Sequence, residues 1–117
     1  MISELAQRTF QARNITHRAH WATKSYSVHC ALGAFYTDVV SAVDAIVEEY
    51  QGMYSTRIEP FLVKDTDVKD LSAYLTAEAD WFEENRDEIS QGGSSISNLI
   101  DNLTSVYTKT VFLLSLK

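Results

Sequence analysis

Between Val28 and Met53 the apolar residues Val28, Leu32, Phe35, Val39, Val43, Ile46, Tyr50 and Met53 recur at steps of four and three. At 100° per residue those steps hold one stripe along one side of a helix. No proline interrupts the run, so the spacing predicts a helix over 26–53, about seven turns long. A one-sided helix of that length cannot bury its stripe alone, and the rest of the chain must supply its partners. Ile2, Leu5, Thr9, Ala12, Ile15, Ala19 and Ala22 trace a weaker stripe over 2–23, with "KSYS" from Lys24 to Ser27 as the reversal into a hairpin. Downstream, Asp67 is placed to cap a helix over 67–89 that turns Val68, Leu71, Leu75, Ala79, Phe82 and Ile89 inward. Ser94 or Ser95, after the paired glycines of "SQGGSS", caps a last one over 94–116 with Ile96, Leu99, Leu103, Val106, Thr110 and Leu113 inward. No segment alternates with period two, so no sheet is expected.

The connections constrain how four helices join. "YSTRIEPFLVKDT", Tyr54 to Thr66, reaches ~40 Å when extended, about the length of a 27-residue helix. It can therefore cross from one end of a bundle to the other between the second and third helices. Two hairpins joined by such a crossover make an all-α, ferritin-like four-helix bundle rather than an up-down-up-down one. The 117 residues suit a single domain over 1–117.

Charge and cysteine narrow the setting. A formal charge of −6, with 16 acids against 10 bases and no cationic run, lacks the clustered cations that nucleic acid binding uses. No stretch reads as a membrane span or a secretory leader, and the lone Cys30 can form no internal disulfide. A reducing cytoplasm is the expected location. Cys30 itself is expected to be a small buried filler.

All three histidines, His17, His20 and His29, fall in "HRAHWATKSYSVH". On the second helix, about 100° from the core stripe, His29, Gly33, Tyr36, Val40, Asp44, Val47 and Glu48 form a second face. Gly33, Val40 and Val47 suit packing against another chain, so a homodimer through helix 2, or a larger assembly of such dimers, is expected. Asp44 and Glu48 stand one turn apart and can share an ion, but His29 lies ~22 Å away along the same rigid helix. A second chain with its helix antiparallel could bring His29 of one copy to Asp44 and Glu48 of the other. His20 joins the set across the hairpin. Imidazole with carboxylate suits iron, manganese or zinc.

The order His20-Trp21, His29, Phe35-Tyr36, then "VDAIVEE" from Val43 to Glu49 resembles the ferroxidase signature of Dps-type mini-ferritins. The resemblance is close over about residues 3 to 55. It implies an intersubunit ferroxidase site, His20 and His29 from one chain with Asp44 and Glu48 from its mate, that binds iron(II) and oxidises it with dioxygen or peroxide. Trp21 would neighbour the site without ligating. The two histidines stand nine residues apart where the family has twelve; His17 restores twelve but has no tryptophan after it and ranks second. The family's basic N-terminal tail and the short helix between its second and third long helices have no counterpart here. The first difference removes the usual DNA-binding device, and the second bears on the family's twelve-chain cage. The alternative from a different class is a non-catalytic helical dimerisation module that keeps the bundle without the metal.

Overall fold

The computed structural model describes all 117 residues, and its only regular elements are helices. Five helices follow in order: α1, Ile2–Ala22; α2, Tyr26–Tyr54; α3, Leu71–Glu84; α4, Arg86–Ser90; and α5, Ser94–Leu114. The middle of the α2 core stripe is where the sequence places it, while Val28 and Tyr50 are half-buried and Met53, expected to close the stripe, is exposed. Leu32, Phe35, Val39, Val43 and Ile46 are buried against Leu5, Ala12, Leu75, Phe82, Ile100, Leu103 and Tyr107 in one cluster. Each fully buried aliphatic or aromatic side chain contributes about 1.5–3 kcal/mol before the entropy of ordering it. Phe35, Phe82 and Tyr107 meet edge to face, with Tyr107 centred 4.9 Å from Phe35 and 5.0 Å from Phe82.

The helix directions follow from which ends meet. Val28 at the start of α2, Leu71 at the start of α3 and Leu114 at the end of α5 line one cleft. At the other end, Tyr54 donates to the carbonyl of Ser90 at 2.5 Å. Hence α2 and α3 run the same way, while α1 and α5 run opposite to them. The joining segment, 55–70, lies along α1 as an extended strap. Gln7 donates to Leu62 O at 2.6 Å, Gln11 to Lys64 O at 3.1 Å and Arg18 to Thr66 O at 3.1 Å, so the strap advances as α1 does. Phe61 packs edge on to Phe10 at 5.6 Å.

The structure departs from the expected boundaries in the second half. The third helix begins at Leu71 rather than 67, because Asp70, not Asp67, accepts from the third backbone N–H of the helix, that of Ala73, at 3.0 Å. It then breaks at Asn85, whose side-chain amide donates to Trp81 O at 2.9 Å and competes with the helix ladder. Arg86 refastens the broken end, bonding Glu83, Ser97 and Asp101. The last helix starts after Gly93, and neither Ser94 nor Ser95 caps it through its side chain. Cys30 is exposed rather than buried, since it points away from both α1 and α5.

Candidate functional site

His20 lies in the last turn of α1 and His29 in the first turn of α2. The reversal between them is tight because Ser25 caps α2, its hydroxyl accepting from Val28 N at 3.3 Å. With the helices so joined, the two histidines bond each other's backbone. His20 Nδ1 lies 2.6 Å from His29 O, and His29 Nδ1 lies 2.8 Å from His20 O. A carbonyl oxygen can only accept, so both Nδ1 atoms carry the proton and both Nε2 atoms are free of it whenever the rings are neutral. The bond from His29 also satisfies a carbonyl in the last turn of α1, where four such groups have no partner within the helix.

The rings stack at 3.7 Å between centroids, inclined by 17°. Gly33 makes room for this. A Cβ there would sit 3.0 Å from Cε1 and 3.3 Å from Nδ1 of His20. The space beside Gly33, expected to admit a second chain, is filled by His20 of the same chain. His17 completes an aromatic array, stacked on Tyr36 at 3.9 Å and against Trp21 at 4.3 Å. Desolvation, then Arg13 and His20, lower the pKa of His17. Val40 and Val47 are likewise half-buried against the core of their own chain. Trp21 and Tyr26 flank the array and are 70% and 81% exposed.

Asp44 and Glu48 are exposed on α2, without an ion-pair partner. Fifteen residues of rigid helix hold Asp44 ~22 Å from His29. The chain therefore brings His17, His20 and His29 together and leaves the carboxylates apart; it contains no group of three or more His, Cys, Asp or Glu side chains able to hold a metal ion. Parallel rings 3.7 Å apart direct their in-plane lone pairs past one another, so they cannot both reach one ion at the ~2.1 Å of a metal–imidazole bond. One ring would have to leave the stack for a shared ion, or each would take its own.

A second polar constellation went unread in the sequence. Glu78 of α3 is 5% exposed and takes Arg8 of α1 at 2.6 Å; Arg8 also lies 4.3 Å from the centre of the Trp81 ring. Burial raises the carboxyl pKa of Glu78, and Arg8 pulls the other way. Nearby, the buried hydroxyls of Tyr74 and Tyr107 have no hydrogen-bond partner, and burial pushes both phenols up. The only sequence signal was Glu78 three residues after Leu75 and one before Ala79 in the inward stripe.

Residues 20–114 match a family of unknown function, DUF5856. The chain belongs to that family. The matched region of this DUF5856 member opens at His20 and takes in the reversal and His29, while His17 and most of α1 lie before it. No curated protein and no solved structure matches the chain.

Proposed function

We propose that this DUF5856 protein is a ferritin-like helical bundle that binds and oxidises iron at a site shared by two chains. The observation that carries the reading is the tautomer imposed on the hairpin. Nδ1 of His20 and of His29 is committed to a carbonyl, which leaves Nε2 of each as an oriented, unprotonated donor, the second-sphere arrangement that metal-ligating histidines use. Asp44 and Glu48 supply the anionic half from the second chain, exposed, unpaired and one turn apart. Iron(II) is the substrate. Each ion gives up one electron, and two electrons with two protons cleave a peroxide O–O bond to two waters. Carboxylate favours the ferric product over the ferrous reactant, as hard ligands do.

Anaerobic addition of iron(II) followed by peroxide or air should raise a ferric absorbance, and Asp44→Ala should lose it. Equal oxidation by that variant overturns the proposal. The second reading, a helical dimerisation module without metal chemistry, draws on the stacked rings, whose lone pairs do not converge. It predicts no uptake of iron, zinc or manganese at stoichiometric load.

A further inference from the structure

The exposed side of α2 differs from the face that the sequence singled out. Cys30, Ala34, Thr37, Ser41, Asp44 and Glu48 are exposed, and their steps of four and three make them one stripe. It lies about 90° round from His29, Tyr36 and Val40, which α1 covers in part. An apolar 18-residue window of α2, long enough by length and composition to cross a membrane, is only 33% buried within the chain.

The charges on α2 say what covers it. Its first turn holds no acid and its last turn no base. Lys24 instead stands just before its start, with Asp38 near its middle and Asp44, Glu48 and Glu49 in its second half. A helix is already partly positive at its N-terminus and negative at its C-terminus. The side-chain charges therefore add to the dipole of a 29-residue helix instead of offsetting it. A second copy lying antiparallel answers both ends at once, its acidic half beside Lys24 and the helix N-terminus of the first copy.

We propose that the exposed stripe of α2 is the interface of a twofold antiparallel homodimer whose axis passes between Thr37 and Asp38. The antiparallel pairing follows from the charges. The register rests on the shared metal site proposed above, since the midpoints between His29 and the two carboxylates fall either side of that position. Ala34 then faces the partner's Ser41, and Cys30 faces the partner's Ala45. Lys24 and Tyr26 come to the partner's Glu48 and Glu49. Asp38 turns to the groove with α5, which it lines together with Lys109.

Disulfide trapping of the metal-free, chelator-treated protein tests the register. In a Cys30→Ser background, Thr37→Cys should cross-link to its own symmetry mate under mild oxidation. Unaltered Cys30, ~22 Å from its mate, should stay reduced, because a disulfide needs Cα atoms within about 7 Å. Cys30 combined with Ala45→Cys should give a dimer closed by two disulfides. In sedimentation, Asp44→Lys with Glu48→Lys should weaken the dimer at least tenfold. A one-chain mass for the unaltered protein at every concentration overturns the inference. So does self-cross-linking of Cys30, the mark of a parallel pair, or co-sedimentation of the unaltered protein with phosphatidylcholine vesicles. A dimer trapped in this register that takes up no iron upholds the interface and refutes the metal site. Tight iron binding by the one-chain Asp44→Lys, Glu48→Lys variant refutes the shared site, and the cross-links still decide the interface.

Discussion

Tyr107 stands at the centre of the aromatic core with a buried hydroxyl that makes no well-formed hydrogen bond, although Thr9 lies beside it. An unpaired buried hydroxyl costs about 1–3 kcal/mol, while its aromatic ring contributes through packing. Tyr107→Phe keeps the ring and should raise stability by roughly 1 kcal/mol in denaturant titration; a loss of that size would mean that the hydroxyl is engaged. Glu78 behaves differently because it is paired. Removing its partner strands a carboxylate in the core, so Arg8→Met should cost about 2 kcal/mol, between the values for exposed and buried pairs because Arg8 is itself partly solvated. The pH dependence follows from the direction of the shift. Burial raises the carboxyl pKa of Glu78 in the folded state, so its proton is held more tightly there than in the unfolded chain. The stability this lends is fully present below the ordinary carboxylate value and is lost as pH climbs through the raised one. Chemical denaturation of Glu78→Gln across pH 4 to 7 should lack that component of the slope, and an unchanged profile would place the proton elsewhere.

For α1 and α2, the hairpin turns on one glycine. Alanine at Gly33 gains about 1 kcal/mol of helix propensity, yet its Cβ would press on a ring held by a stack and a hydrogen bond. Gly33→Ala should therefore change overall stability by less than about 1 kcal/mol while loosening His20. The NMR signal of the hydrogen-bonded His20 Nδ1 proton should be observable in the unaltered protein and should broaden or vanish in the variant; its persistence would show that the ring yields without losing the carbonyl. Long amphipathic elements such as α2 were legible in the sequence because their periodicity is sustained over many turns. The start of α3 was not. Asp67 and Asp70 are equally good caps on paper, and tertiary packing of Leu71 and Leu75 chose between them. The break at Asn85 has no proline or glycine to announce it. At the candidate site, the gathering of histidines could be read from the short reversal, and the distance of Asp44 and Glu48 from helix rise. The reciprocal bonds could not, since they join side chains to a backbone whose course depends on the whole hairpin. Arg8 with Glu78 escaped for a related reason: seventy residues separate two groups that only the direction of α3 brings together.

The whole molecule measures 45 × 25 × 20 Å, and its long dimension is spanned by the strap over 55–70 as well as by the helices. The strap touches α1 through side-chain amides, Arg18 and Phe61, with Leu62 87% exposed at its middle. Almost none of the core lies in it. The chain is thus two helical hairpins whose mutual attachment is carried by side chains of α1, α2, α3 and α5, and the peptide bonds between them serve mainly to keep the halves at high local concentration. A protease able to cut beside Leu62 should find the strap first, and the nicked product should still run as one particle, parting only in denaturant. Two separately made fragments, 1–62 and 63–117, should then find each other in solution and regain the helical signal that neither holds alone. On that view the protein is already a complex between two unlike partners, encoded by one gene as a matter of economy in assembly.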